Sequence, residues 1–366
     1  MKIPSFRRVA APSVAVLALG LVLSACSAGN ETGSSSGGLS GTLNGSGSSA
    51  QAAAEQAWIA AFQNANGSGV TVNYDSVGSG TGVSNFLAGG TQFAGSDKYL
   101  TTDQVTQSKQ VCGGQAAFEV PDYISPIAIV YNLPGVDSLN ISPAVLANIY
   151  VGKITTWNDS AIAADNPGVT LPSTSITPVH RSDASGTTAN FTDYLGQTSP
   201  STWTYGVVED WPTGITAGSA AQNTSGVVAA VKAGEGSVGY ADASQTSGMQ
   251  VAAIGVGSDW VMPTAEASGK IADVSAQVDG RAANDLALNL NRTTTQSGTY
   301  PLVLVSYLMG CPTYSDQATA DLAKAYLSYV VSAEGQGVGA SAAGSAPLPQ
   351  GMIDKATAIV GAITAG

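Results

Sequence analysis

The chain has 366 residues, 44% of them apolar, enough for a sizeable core and a length that suggests about two domains. Only 10% of residues are charged, Gly is abundant at 44 residues, and the formal net charge is −12. So acidic a chain is poorly suited to nucleic acid, which needs basic patches, and it cannot steer small anions from a distance. Any anion site must rest on local dipoles and a few donors.

Residues 1–25 read as an export signal. Lys2, Arg7 and Arg8 form its charged region and APSVAVLALGLVL (11–23) its apolar region, too short and wrongly flanked to span a membrane. The run LSAC (23–26) resembles the bacterial lipobox, which implies cleavage before Cys26 and lipidation of Cys26. An ordinary secretory signal with an incidental Cys is the alternative. A lipid on Cys26 would anchor the chain without spanning the bilayer. Residues 26–40 are rich in Gly and Ser and read as a flexible tether.

The folded part is expected to start near Gly41. QAAAEQAWIAAFQNANG (51–67) predicts an amphipathic helix stopped by Gly67, and GVTVNY (69–74) a short strand. GSGTGV (78–83) opens a helix through Leu87, TQFAGS (91–96) is a strand ending at Asp97, and Thr101 to Lys109 is a helix. FEVPDYISPIAIVYNLPG (118–135) reads as a long apolar strand region broken by Pro121 and Pro126, and as a first crossover between domains. SPAVLANIYVG (142–152) predicts a helix with Pro near its start. Trp157, Asn158 and Asp159 lead into a short helix, and ITPVHR (176–181) is a strand. Residues 224–234 predict a helix, 236–241 a strand, and LVLVSYL (302–308) a strand and second crossover. Residues 314–335 and 351–363 are each expected to form one helix. Strands alternating with helices predict an α/β chain, and two crossovers predict two lobes.

The chemistry concentrates in VHRSDASGTTANF (179–191), where a strand feeds a helix start. Ser185, Gly186 and Thr187 can present backbone N–H groups and hydroxyls at a helix N-terminus, which suits an anion. Arg181 offers a planar fork of donors, and Asp183 is near enough to hold it. Taken alone, the stretch also fits an N-capped helix with a surface ion pair. Two further Gly/Ser/Thr loops, GSGSSA (45–50) and GSGTGV (78–83), precede helix-like runs, and FAGSD (93–97) ends in a carboxylate.

Besides Cys26 there are Cys112 and Cys311, which in an exported chain suggest a disulfide joining the two ends of the folded part; two buried thiols are the alternative. The sequence has no CxxC or HxxxH spacing for a dedicated zinc site. His180 is the lone histidine. A triad with Ser185 and Asp183 would need all three in line within one short turn, and no GxSxG elbow is present. His180 is expected to point away from the site or lie on its rim.

Together these motifs resemble PstS, the phosphate-binding protein of bacterial phosphate ABC transporters. The resemblance runs from about Leu43 to the C-terminal helix. The family's GAGATFPAP loop stands here as GSGSSAQAA (45–53), its IGSSGG as VGSGTG (77–82), its FGASD as FAGSD (93–97) and its RRADGSGT as HRSDASGT (180–187). NIYVGKITTWNDSAI (148–162) and NPGVTLP (166–172) also match family signatures. The resemblance implies a two-lobed periplasmic-binding-protein fold of type II with ligand in the hinge cleft. It implies lobe I over 41–123 and 304–366 and lobe II over 124–303. Its phosphate contacts fall on Ser49, Ala50, Ser79, Asp97, Arg181, Ser185, Gly186 and Thr187, with Asp183 supporting Arg181. Ser49-Ala50 replaces the family's Thr-Phe, and His180 stands where an Arg is common.

The implied function is extracytoplasmic: binding inorganic phosphate and passing it to a membrane permease, as a monomer anchored by lipid to the cell membrane, with no cofactor, metal or covalent chemistry. Asp97 fits that assignment, because phosphate near neutral pH carries a proton to donate and sulfate carries none. Rejection by an unpaired buried group reaches roughly 10⁴–10⁵-fold. The rivals are a same-fold binder of sulfate, molybdate or phosphonate, a phosphatase or phosphotransferase, and an adhesin that kept only the fold.

Overall fold

The computed structural model describes residues 38–366; the expected signal, Cys26 and most of the tether lie outside the described residues. β1 (Gly41–Gly47), α1 (Ala52–Asn66), β2 (Val70–Asp75), α2 (Ser79–Leu87) and β3 (Phe93–Ser96) alternate; all but β1, whose end reads as a loop, are expected from the sequence. The strands run parallel with β1 in the middle, and parallel neighbours require such helical crossovers. α3 (Thr102–Ser108) opens on a capping box, in which Thr101 and Gln104 each accept from the other's backbone N–H.

β4 (Phe118–Tyr131) then runs for 14 residues, every one buried. After it come β5 (Asn140–Ile141), α4 (Pro143–Tyr150), α5 (Ser160–Asp165), β6 (Thr177–Arg181) and α6 (Gly186–Thr198). β7 (Ser219–Ala221), α7 (Asn223–Ala233), β8 (Ser237–Asp242), β9 (Gln250–Val256) and β10 (Asp259–Val261) follow. α8 (Ala265–Gly269), α9 (Ile271–Val274), β11 (Ala276–Gln277) and β12 (Leu288–Asn289) are short. The chain returns through β13 (Val303–Gly310), β14 (Thr313–Tyr314), α10 (Gln317–Val331), α11 (Ala333–Ala343), α12 (Gln350–Gly361) and β15 (Thr364–Ala365).

One 11-stranded sheet has the order β2-β1-β3-β13-β4-β8-β6-β7, with β9 also against β4 and with β5 and β10 beside β9. β4 joins its two halves. Phe118 to Pro126 pair with β13, and Ile127 to Tyr131 pair with β8.

Two expectations are corrected, and one strand is added. The prolines do not break β4. Pro121 sits beside a register shift between Ser306 and Tyr307, where Asp122 is the extra residue of a bulge. Pro126 is the last residue paired with β13 before the strand changes partner. Bulges and strand ends are where a missing N–H is tolerated. The helix expected over 314–335 is two helices. Ser332 is extended (φ −70°, ψ 161°), and its hydroxyl accepts from Gly335 N at 3.1 Å to start α11. β9, central to the second half, was not read from the sequence.

Cys112 and Cys311 are bonded, with Cα atoms 4.9 Å apart across 199 residues of sequence. The bond ties the segment before β4 to the one after β13. Cross-linking so long a loop stabilises chiefly by restricting the unfolded chain.

Candidate functional site

The site forms where loops after β1, β3 and β6 meet the start of α2 and α6. Gly78 precedes α2 with φ 94°, and a Cβ there would lie 2.5 Å from Asp183 Oδ2. Only Gly combines that backbone with that approach. Gly80 N then donates to Ala184 O at 3.2 Å, which joins this loop to the one after β6.

β6 alternates its side chains, so Arg181 turns in and His180 turns out. Arg181 is 2% exposed. Its Nε donates to Asp183 Oδ1 at 2.8 Å, and its Nη2 donates to Asp183 Oδ2. Asp183 also accepts from Asn223 N at 3.0 Å. Burial works to raise the Asp183 carboxyl, but the bonds and charge of Arg181 outweigh it and hold it below the usual range. This bidentate grip leaves the remaining Arg181 N–H donors for a ligand.

Ser185 caps α6, its hydroxyl accepting from Thr188 N at 3.1 Å. A Cβ on Gly186 would lie 2.6 Å from Ser79 Oγ and 2.9 Å from Asp97 Cβ. The glycine therefore lets the tip of α6 touch the loops of the other half. Thr187 Oγ1 donates to Asp97 Oδ2 at 2.9 Å.

Asp97 ends β3 and is 2% exposed. Its N donates to Ser79 Oγ at 3.2 Å, its carbonyl accepts from Asn190 Nδ2 at 2.5 Å, and its Oδ1 accepts from Ser306 Oγ at 2.8 Å. Burial pushes its carboxyl above the ordinary value, while the hydroxyls of Ser48, Ser306 and Thr187 and the charge of Arg181 pull it back.

Ser49 and Ala50 are buried in the same assembly. The Ser49 hydroxyl accepts from Thr224 N at 3.1 Å and lies 3.2 Å from Thr224 Oγ1, and Gln245 Nε2 donates to Ser49 O at 2.7 Å. Ala50 N donates to Ser48 Oγ at 3.0 Å. Thus all eight residues carried by the resemblance are buried, with Asp183 holding Arg181. Ser49 and Ala50 are engaged by protein partners.

His180 lies outside this group. Its ring stacks on Trp211, 4.7 Å between centroids and 10° between planes, and its Nδ1 donates to Arg181 O at 2.9 Å. Burial lowers its proton affinity, so it stays neutral near pH 7. It makes no triad contact.

Four residues went unread in the sequence. Ser306 is the one Ser inside the apolar and aromatic run of β13, and that isolation was its signal. Asn223, with φ 59°, is the only non-Gly residue at positive φ among those described. Thr224 starts α7, and Asn190 is held by Arg292 Nη2 at 2.5 Å. No local pattern marks these three. A cavity of about 300 Å³ adjoins Asp97, lined by Leu288, Leu290, Val305, Tyr307 and Arg292 among others. Arg292 is consumed there by Asp193, Asn190 and two backbone carbonyls, so the cavity offers no free fork to an anion. Among the described residues no cluster of His, Cys, Asp or Glu is arranged for a metal, and no helix is long and apolar enough to cross a membrane.

Comparison with known proteins agrees with this architecture. A PBP superfamily domain matches residues 32–334. The phosphate-binding protein PstS 2 of Mycobacterium tuberculosis is 37% identical over 370 aligned residues, covering 96% of this chain and 98% of that protein. PstS 3 of Mycobacterium leprae is 36% identical, with the same coverage of both chains. Among solved structures, a periplasmic phosphate-binding protein captured with phosphate superposes with a TM-score of 0.69 at 20% identity, over 87% of this chain and 93% of its own. A phosphate-binding protein from Stenotrophomonas maltophilia gives 0.64 at 19% identity, over 87% and 94%. The fold is therefore the two-lobed one of these structures, and the chain belongs to the PstS family within the PBP superfamily.

Proposed function

We propose that this chain binds inorganic phosphate in the cleft between its lobes and delivers it to an ABC importer. The observation that carries the reading is the pairing of opposites at one buried point. Arg181 and the N-terminus of α6 offer donors, and Asp97 offers a carboxylate acceptor. A monoprotonated phosphate satisfies both, its bare oxygens taking donors and its O–H donating to Asp97. A fully deprotonated sulfate would face Asp97 with like charge and no hydrogen to give.

The proposed contacts are Ser49, Ala50, Ser79, Asp97, Arg181, Ser185, Gly186 and Thr187. Ser49 and Ala50 would contribute through a rearrangement of their bonds to Thr224 and Ser48 when ligand enters. The proposed lobes are 41–123 with 304–366, and 124–303, with the crossovers in β4 and at the start of β13; the change of partner within β4 supports the first of these. Closure would desolvate the ion and bring donors from both lobes. The reading includes no covalent step, since His180 is stacked on Trp211 and cannot serve Ser185 as a base. It also includes cleavage before Cys26, a lipid on Cys26, a tether to residue 40 and a monomer at the extracytoplasmic face of the membrane.

Titration calorimetry on protein lacking residues 1–40, unfolded and refolded to strip ligand, tests the reading. Tight one-to-one phosphate binding with no sulfate heat is expected at neutral pH. Silence for phosphate, or equal heats for both anions, would overturn it.

A further inference from the structure

Asp97 must be a buried carboxylate and still accept a proton-bearing oxygen, and burial works against that state. Three hydroxyls offset it. Thr187 lies on α6, in the other half of the sheet, and its hydroxyl is itself one of the proposed phosphate contacts. Ser48 Oγ also accepts from Ala50 N at 3.0 Å. Ser306 differs from both. It is fully buried, its Oγ donates to Asp97 Oδ1 at 2.8 Å, and that is its one side-chain bond. β13 pairs directly with β3, Tyr307 opposite Ser96, so this bond lies within one half of the sheet. It does not depend on how the halves close.

We propose that Ser306 is a positioning residue for anion selectivity, holding Oδ1 of Asp97 so that the carboxylate stays an acceptor with Oδ2 turned toward the tip of α6. The bulge beside Ser306 gives it this place. The proposal rests on the phosphate reading above. Without the hydroxyl, Asp97 takes a proton more readily. A protonated Asp97 donates a hydrogen bond, which suits sulfate and wastes the proton of phosphate.

The other titratable groups near Asp97 are the same in the parent and in each Ser306 variant. Arg181 favours the carboxylate, while Asp122, Asp242 and Tyr74 are coupled to Asp97 and oppose charge build-up. Lys98 is paired with Glu209 at 3.2 Å. The ratio of variant to parent therefore isolates Ser306, and it also cancels the titration of phosphate itself.

The test measures phosphate and sulfate affinities by calorimetry from pH 5 to 8 for the parent, Ser306→Ala, Ser306→Cys and Ser306→Thr. Ser306→Ala is expected to lower the phosphate-to-sulfate ratio roughly tenfold at neutral pH, on the scale of one hydrogen bond to a charged group, and by more as pH falls. Ser306→Thr keeps the hydroxyl and the parent's ratio. Ser306→Cys, a weaker donor of similar size, falls between and carries the test if the Ala protein does not fold. A loss equal for both anions at every pH, or an unchanged ratio, overturns the role of Ser306. Failure of the parent to bind phosphate would instead overturn the functional reading on which the role depends.

Discussion

Asp183 lies against the guanidinium of Arg181, whereas Asp97, Asp122 and Glu55 lie among hydroxyls, phenols and one another. The first carboxyl is held below its ordinary range although burial opposes that. The other three are raised, with burial the largest cause in each. Glu55 accepts from Tyr326 OH at 2.7 Å, and no protein donor reaches either oxygen of Asp122. Asp183 is half-buried and the other three are fully buried, and of the four only Asp183 is hydrogen-bonded by a guanidinium. The Arg181 side can therefore face an anion as a pure donor surface, its own acid already neutralised. The Asp97 side faces the same anion as an acceptor and keeps a pool of reluctant carboxylates behind it. One site thus asks two different questions of a ligand: whether it is an oxyanion, and whether it carries a proton.

Arg181→Ala breaks the comparison most severely. It removes the ligand's fork and leaves Asp183 without its charge partner. A loss of about 3–5 kcal/mol in phosphate binding is expected by calorimetry, on the scale of truncating one member of a buried charge pair. The parent's Asp183 contributes stability present above the ordinary carboxylate value and lost as pH falls through its lowered one. That acid-side dependence should weaken in the variant. Unchanged affinity would remove Arg181 from the site.

Asp97→Asn acts on the second question. The amide still accepts through one oxygen but also donates, and it no longer repels a bare anion. Phosphate binding weakens, sulfate binding becomes measurable, and the ratio of the two affinities falls by roughly 100-fold, on the scale of one unsatisfied buried polar group. Competition of sulfate against bound phosphate measures it directly. Equal ratios in variant and parent would show that Asp97 is not the filter.

Much of this site is legible in sequence because its parts are local. A strand ending in Arg181, an acid two residues on and a Ser-Gly-Thr helix start lie within seven residues. Periodicity and Gly punctuation recover β2, β3 and α1 to α3 for the same reason, while β1 is hidden in a Gly/Ser-rich stretch. What escapes is long-range. Ser306 is 209 positions from Asp97, and Thr224 is 175 from Ser49. Pro121 and Pro126 mislead because local rules penalise a missing N–H without knowing that one lies beside a bulge at Asp122 and the other where the strand changes partner. The break at Ser332 is masked by an apolar pattern that continues on both sides of it. Glu55 is the sharpest case. On α1 it reads as an ordinary helix glutamate, and only tertiary packing makes it a buried acid.

Glu55→Gln sharpens the comparison with the smallest expected effect. Burial pushes the Glu55 carboxyl up to about 7 from an ordinary 4.5, so the folded protein holds this proton more tightly than the unfolded chain does. The associated stability is full below about 4.5 and is lost as pH rises through about 7. Gln carries no charge at any pH, and its Oε1 can keep the bond from Tyr326. The variant should match the parent near pH 5 and exceed it near pH 8 by about 2–3 kcal/mol, from the size of that displacement. Denaturant unfolding at the two pH values reads the difference. Asp183 provides the internal contrast, because its lowered value gives the opposite slope on the acid side. A gain equal at both pH values would trace the effect to packing, and a loss at pH 8 would mean that Glu55 is ionised and paired in the folded protein. Either result would erase the division between a cation-held acid on one side of the site and a proton-holding acid, Glu55, behind Asp97 on the other.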